Sequence, residues 1–465
     1  MPKISLTTKI FIGLIVGILV GWRFPAFGQA MRPLSLLFLN LIKSIIAPLI
    51  FSTLVIGIAG TGDIRQVGRI GLKSLVYFEI VTTFALVIGL AAVNITKPGV
   101  GVDLKNVQKV DNKATLAEKA KKLAGESAAA AAHGDAATAA AKSAAAAEAV
   151  SQSLTAPDPP AKPKSFGEII THLSPASIIA AMAEGDVLQI VIFSVLFALA
   201  VTSIGERARP IISWCEGLAD VMFRFTEFVM KFAPIGVGAA MANTIGHSGL
   251  NVLKNLALLV GTLYGALFVF ICFVLLPVAL IARVPIVDFF RAVKTPATIA
   301  FATTSSESAL PKAMENMERL GVPRRIVGFV LPTGYSFNLD GTTLYLSLAS
   351  VFVAQAAGVH LTWSQQVTMM LLLMLTSKGV AGVPRASLVI LLGTLATFNL
   401  PVEGVLVILG VDELMDMART AVNVIGNCLA TVVVARWENA FRTQEWIAEE
   451  AELEEVTGQP AIVSS

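Results

Sequence analysis

Apolar stretches long enough to cross a bilayer recur along this chain from about residue 10 to residue 435. A helix needs about 20 such residues to cross the hydrocarbon core, and only helices or closed barrels satisfy their backbone polar groups there. The qualifying stretches are 8-28, 34-60, 70-96, 166-204, 210-245, 253-282, 326-357 and 398-436. The fourth and fifth are long enough to be broken, re-entrant or strongly tilted. Composition agrees: 55% of the residues are apolar and only 14% charged, with a mean hydropathy of +0.75, where a soluble domain carries about 25% charge. The expectation is an all-α polytopic membrane protein. The first stretch does not read as a cleavable signal, because its apolar run is too long and no small-residue cleavage site follows.

Several function classes are excluded early. A formal charge of +3 is too small to point to a nucleic-acid partner. Cys215, Cys272 and Cys428 lie far apart and fit neither a disulfide framework nor a metal site. The scattered His133, His172, His247 and His360 argue against a histidine metal centre and against a membrane-embedded enzyme.

Orientation follows from Lys and Arg in short loops. Lys3 and Lys9 precede span one; Arg65, Arg69 and Lys73 lie between spans two and three; Arg207 and Arg209 lie between four and five. Arg283, Arg291 and Lys294 follow six, Arg319, Arg324 and Arg325 precede seven, and Arg436 and Arg442 follow eight. With eight crossings all of these fall on one side, which puts both termini in the cytoplasm. Residues 103-165 interrupt the pattern with an alanine-rich run and a TAPDPPAKPKS exit. Alanine favours helix, yet little here asks to be buried. The segment reads as a tolerated extracytoplasmic insertion without an assigned role.

Two segments after span six break apolar sequence with small and polar residues: Thr303 to Pro311 (TTSSESALP) and Thr376 to Pro384 (TSKGVAGVP). Each sits between arms too short to span alone. Non-helical backbone survives at membrane depth only when buried in protein or lining a cavity, and paired interrupted segments point to a transporter's binding site. Helix ends at such breaks leave N–H groups for an anion. The plainer reading of the first is a helix start, since Thr304-x-x-Glu307 is a capping-box pattern.

Span seven contains Pro332-Thr333-Gly334-Tyr335-Ser336-Phe337-Asn338-Leu339-Asp340-Gly341-Thr342. Gly334 and Gly341 favour local unwinding, and the freed carbonyls with Asn338 and Asp340 would suit a hard monovalent cation. The plainer reading is a soluble turn, which the apolar flanks disfavour, and the missing Asp-x-Asp spacing rejects an EF-hand. In span eight, Asp412, Asp416, Arg419, Asn423 and Asn427 fall at steps of 4, 3, 4 and 4, on one helical face with Thr420 beside them. A charge at the bilayer centre costs several kcal/mol, by contested estimates of about 2.5 to above 10, so such residues face a cavity and a partner. Arg419 would take a carboxylate and Asp416 an ammonium, which describes an amino acid with an extra acidic group. The plainer reading is a structural Asp416–Arg419 pair. Glu79 in span three and Glu307 in the first broken segment are candidate proton sites.

With these residues in view, the chain resembles the dicarboxylate/amino acid:cation symporter family, the glutamate transporter homologues. TSSESALP, PTGYSFNLDGTTLY, TSKGVAGVP and DMARTAVNVIGN occur in family order, and the likeness covers nearly everything except 103-165. The resemblance implies eight transmembrane helices plus two re-entrant helical hairpins with inverted repeats, assembled as a homotrimer. It implies scaffold helices at 1-69 and 166-245. Helix three at 70-102 and residues 246-440 would form a transport domain that moves like an elevator, and 441-465 a cytoplasmic tail. By motif, Ser305, Ser306, Thr342, Val383, Asp416, Arg419, Thr420 and Asn423 would bind substrate. Gly334, Asn338 and Asn423 match a cation site of sodium-coupled members, and Asp340 matches a second.

The departures matter. Asn427 stands where sodium-coupled relatives usually have Asp, Leu339 where many have Met, Lys378 in the second tip and Glu307 in the first. The combination is closer to bacterial proton/glutamate-aspartate symporters. The expectation is therefore a symporter of the inner (plasma) membrane importing L-glutamate or L-aspartate with protons. It would use no cofactor, and no metal beyond a monovalent coupling cation. Asn427, Glu307 and Glu79 join Asp340, Asn338 and Gly334 as coupling candidates. The alternative is sodium coupling, or a C4-dicarboxylate such as succinate, fumarate or malate. A diacid would leave Asp416 without an ammonium.

Overall fold

The computed structural model describes residues 6–59, 64–102, 177–184, 187–377, 386–398, 400–402 and 404–442. The insert at 103-165, the start of span four, Lys378 and Val383 of the second broken segment, and residues from 443 onward lie outside them. Among the described residues every regular element is helical. In order these are α1 (Leu6–Arg23), α2 (Pro25–Ala30), α3 (Arg32–Ala59), α4 (Ile64–Thr96), α5 (Ile178–Glu184), α6 (Val187–Ile204), α7 (Arg209–Met230) and α8 (Ala233–Ser248). Then come α9 (Val252–Ile281, with a π turn at Ile271–Leu275), α10 (Ile286–Thr303), α11 (Ser306–Arg319), α12 (Arg324–Phe337) and α13 (Asp340–Ala356). The last are α14 (Trp363–Thr376), α15 (Ala386–Thr397), α16 (Gly404–Leu409) and α17 (Asp412–Trp437).

Six described stretches are long and apolar enough to cross a membrane: Leu6–Arg23, Pro25–Ile56, Arg69–Thr96, Gln189–Met230, Val252–Ile281 and Asp412–Trp437. The chain is a multi-pass helical membrane protein. The other apolar segments are interrupted. Span five breaks at Lys231 and Phe232, where Pro234 opens α8. Span seven breaks at Asn338 and Leu339, and span eight at Gly410 and Val411.

The helices pack in two groups. In one, α1 and α2 lie on α8, and α3 packs against α6, α7 and α8. The α1/α8 seam is made of small residues. A Cβ on Gly13, Gly17 or Gly21 would collide with the backbone carbonyl of Pro234, Gly238 or Ala242 respectively. Lipid supplies no hydrophobic drive between helices, so such close approach is what holds them. In the other group α4 runs along α13, and α17 is surrounded by α9, α10, α11, α12 and α13. Enclosure on every side is why α17 tolerates a polar face.

The exit of α17 is tied to the start of α4. Glu438 pairs with Arg69 and with Lys73, whose Nζ is 2.6 Å away and also donates to the Trp437 carbonyl at 2.7 Å. Arg442 N donates to the Gly321 carbonyl at 2.9 Å, where Gly321 takes a φ of +107°. Burial pushes the Glu438 carboxyl up, but Lys73 and Arg69 outweigh it and hold the group below the usual carboxylate range. A lowered folded value means the pairing stabilises fully above the ordinary carboxylate pKa and stops doing so as pH falls through the lowered one. Thermal unfolding from about pH 6 to pH 3 is therefore expected to fall more steeply for the wild type than for Glu438→Gln. The difference should be small, about 1 °C, because Arg69 is exposed. Parallel curves would remove this tie.

Candidate substrate-binding site

The first broken segment folds as two antiparallel-capable arms joined by a one-residue kink. α10 ends at Thr303, Thr304 takes the left-handed conformation at φ 52°, and Ser305 caps α11. The Ser305 hydroxyl accepts from Ser308 N at 3.3 Å. The capping box of the plainer reading, between Thr304 and Glu307, is not formed, because the chain turns one residue later. A capping box does form on α14, between Thr362 and Gln365. The α10 and α11 arms have 18 and 14 residues, those of the second segment 14 and 12, all below the length of about 20 that spans comfortably.

The break in span seven faces the polar stripe of α17. Thr342 N donates to Asn423 Oδ1 at 3.2 Å, and Asn423 Nδ2 donates to Thr342 Oγ1 at 2.9 Å. One turn on, Asn427 Nδ2 donates to the Asn338 carbonyl at 3.0 Å. Asn338 Nδ2 in turn reaches Asp340 Oδ2 at 3.0 Å and Asn427 Oδ1 at 3.3 Å. Glycines permit this approach: a Cβ on Gly334 would strike Asn427 Oδ1, one on Gly341 the Arg419 carbonyl, and one on Gly426 the Asp340 carboxylate.

The break frees fewer carbonyls than its sequence suggested. Gly334 stays inside α12, and its carbonyl accepts from Asn338 N at 2.7 Å. The Leu339 carbonyl accepts from Thr343 N at 2.8 Å. With Asn338 capped by the Asn427 amide, these carbonyls already hold protons of the protein itself. Thr82 of α4 approaches Asn338 Oδ1 at 3.5 Å, and the Tyr77 hydroxyl, buried and without a hydrogen bond, lies within electrostatic reach of Asp340. No group of metal-ligating side chains occurs among the described residues.

One helical turn toward the start of α17 sits Arg419, only 1% exposed. Its Nε donates to Asp416 Oδ1 at 2.9 Å and its Nη1 to Asp412 Oδ1 at 3.1 Å. Thr420 Oγ1 also donates to Asp416 Oδ1, at 3.2 Å. The Tyr345 ring of α13 stacks on the guanidinium, 4.0 Å from ring centroid to Cζ. The Asp416–Arg419 pair weighed as the plain alternative does form. It leaves Arg419 Nη2 buried with no hydrogen-bond partner, and a buried donor left open is a place for an anion.

The structure thus brings together Thr342, Asp416, Arg419, Thr420 and Asn423, and beside them Gly334, Asn338, Asp340 and Asn427. Ser306 is buried and Ser305 half-buried at the first tip, without a hydrogen bond to that cluster. Glu307 is exposed on the first turn of α11 and Glu79 is half-buried on α4. Val383 lies outside the described residues. Sequence reasoning passed over Tyr345, Tyr77 and Thr82, and gave Asp412 no role although it opened the polar stripe.

Interrupted apolar helices around buried, oppositely charged side chains define a helical membrane transporter. The sequence profile of the sodium:dicarboxylate symporter family matches residues 6–437, and the chain belongs to that family. It is 41% identical over 465 residues to a proton/sodium-glutamate symport protein of Bacillus subtilis (strain 168), covering 99% of each chain. It is 39% identical over 462 residues to a proton/glutamate-aspartate symporter of Escherichia coli (strain K12), covering 97% of each. It is 39% identical over 438 residues to a C4-dicarboxylate transport protein of Bacillus subtilis (strain 168), covering 94% of each. The protein is a transporter and not an enzyme.

The Asn427 amide makes a chemical prediction. In Asn427→Asp the donor to the Asn338 carbonyl is replaced by a charged acceptor, so two oxygens face each other until a cation joins them. Sodium at constant ionic strength, against choline, is expected to raise the unfolding temperature of this variant more than that of the wild type. An equal response in both would contradict the assigned role of the amide.

Proposed function

We propose that the protein imports L-glutamate or L-aspartate together with protons. The observation that carries this reading is Arg419: a buried guanidinium with one nitrogen open, on the same helical face as Asp416. The substrate's distal carboxylate takes the open edge of Arg419 and its ammonium takes Asp416. Thr342, Thr420 and Asn423 hold the main-chain carboxylate and ammonium. Ser305 and Ser306 close over it from the first tip and Val383 from the second. The names of the bacterial relatives support acidic amino acids as the substrate class.

Proton rather than sodium coupling is favoured by Asn427, a neutral amide that donates to the Asn338 carbonyl where sodium-coupled relatives usually carry a carboxylate. The resemblance offers Gly334, Asn338, Asp340 and Asn427 as coupling candidates, with Glu307 and Glu79 as further carboxylates able to exchange a proton. The group around α17, with α4 and α9 to α16, is the moving part of an elevator. The group of α1, α2, α3, α6, α7 and α8 is its static scaffold and the trimer contact. The segments α10–α11 and α14–α15 are re-entrant hairpins beside eight membrane crossings. Both termini are cytoplasmic in a bacterial inner membrane.

A C4-dicarboxylate carrier is the second reading, supported by one named relative. Against it stands Asp416, which meets no ammonium on a diacid. In proteoliposomes, Arg419→Ala is expected to cut glutamate uptake about a hundredfold or more, with size-exclusion profiles checking that the variant folds. Asp416→Ser should shift competition toward succinate and fumarate. Near-normal glutamate uptake by folded Arg419→Ala protein would reject the clamp. Steep sodium dependence with no response to an imposed pH gradient in the wild type would reject proton coupling.

A further inference from the structure

Asp412 is a carboxylate for which the substrate clamp has no use. It begins α17, is fully buried, and competes with Asp416 for Arg419. Its second oxygen, Oδ2, makes no hydrogen bond; neither does Arg419 Nη2, nor the Tyr345 hydroxyl. The Tyr345 hydroxyl lies beside both Asp412 and Arg419. Three unpartnered polar atoms from three buried side chains therefore converge on one spot. Buried polar atoms are rarely left so. The open nitrogen asks for an anionic oxygen, and the open carboxylate oxygen asks for a proton.

Charge counting links the two demands. One guanidinium and two carboxylates leave the cluster one charge negative. An acidic amino acid, with two carboxylates and one ammonium, adds a second negative charge. A dry site resists that accumulation, since removing the cation from a buried carboxylate is costly. The substrate's distal carboxylate prefers two parallel N–H donors, and Arg419 offers them at Nη1 and Nη2. Taking Nη1 deprives Asp412 Oδ1 of its guanidinium donor.

We propose that Asp412 carries the co-transported proton, released from Arg419 by the arriving substrate carboxylate. The inference rests on the reading of the protein as a proton-coupled importer of acidic amino acids. The steps balance without any change in the substrate's covalent bonds. As the distal carboxylate displaces Asp412 from Nη1, a hydronium ion on the open side gives one proton to Asp412 Oδ2, next to Tyr345, and leaves as water. On the far side the substrate leaves, Arg419 returns to Asp412, and the same O–H bond ionises into that side's water. The cluster then crosses with one net negative charge both loaded and unloaded.

The titratable groups that face Asp412 are Arg419, Asp416 and the adjoining Glu413 on its own helix, and Tyr345 from α13. Tyr264 from α9 reaches the same turn, donating to the Leu414 carbonyl at 2.9 Å. The packed helix α16 (GVLVIL) brings no titratable side chain. Along the α10 and α11 arms, Asp288 pairs with Arg291, Glu315 with Lys312 and Arg319, and Glu318 with Arg324 of α12; Lys294 and Glu307 are the arms' other charged groups. Elsewhere on α17's neighbours, Tyr77 faces Asp340, and Tyr335 faces Glu307 and Cys428. Asp340 keeps its Asn338 donor whatever Arg419 binds, so substrate gives it no reason to take a proton.

The test uses the full-length protein in sodium-free proteoliposomes, with labelled L-glutamate. Two readouts are compared: glutamate–glutamate exchange without any gradient, and accumulation driven by an imposed pH gradient. Asp412→Asn is expected to exchange with an altered KM while gradient-driven accumulation falls at least about tenfold. Accumulation by Asp412→Asn at the wild-type proton-to-glutamate ratio would overturn the proposal. If Asp412→Asn proves inactive in both assays, proton uptake on glutamate binding decides, followed with a pH dye on purified wild type and Tyr345→Phe. Tyr345→Phe keeps the stacked ring and loses only the hydroxyl beside Asp412. The midpoint of its proton uptake is expected to move by about half a pH unit or more, and an unmoved midpoint would overturn the proposal. A wild type that accumulates glutamate only with sodium would instead reject the proton-coupled reading itself, which separates the two failures.

Discussion

A guanidinium sealed inside a membrane protein sets the terms for everything around it. Arg419 is held by two carboxylates of its own helix and by the face of an aromatic ring. Unpaired, it would cost several kcal/mol at membrane depth. Paired twice, it carries surplus negative charge into the same space. That balance requires a helix enclosed by protein on all sides, and α17 is so enclosed by α9 to α13. The broken helices, the close-packed glycines and the stacked tyrosine all serve to bring neighbours near enough to keep this face out of lipid.

The second consequence lies one turn further along. Where α12 gives way to α13, the protein fills its own break with amide hydrogens rather than leaving oxygens bare. An amide at Asn427 supplies one of those hydrogens, where a carboxylate would present an acceptor instead. On the proposed reading, proton coupling at Asp412 and solute recognition at Arg419 occupy adjacent turns of one helix. A rigid helix of this kind can transmit occupancy at one turn to the next without any long pathway.

Much of this was legible from residues alone, for definite reasons. Length and apolarity announce a membrane helix, so Leu6–Arg23 and Val252–Ile281 were readable within a few residues. Steps of three and four put Asp412 to Asn427 on one face, as their separate partners on α13 and at the span-seven break bear out. What failed needed distances across the fold. Gly334 read as an unwinding residue, but it is small because the Asn427 side chain presses on it. The plainer reading made Thr304 a helix cap, but the left-handed turn shifts the cap to Ser305. Tyr345 received no reading, since no sequence spacing reveals that its ring lies on Arg419. Asp412 was visible as a stripe residue, yet only its distance to Nη1 gives it a competitor's position.

A structure determined with L-glutamate bound tests the central claim most directly. The account requires the side-chain carboxylate to sit on the Nη1–Nη2 edge of Arg419, the ammonium on Asp416, and Asp412 to have lost its contact with the guanidinium. Glutamate bound elsewhere, with Arg419 still bridging Asp412 and Asp416, would contradict it.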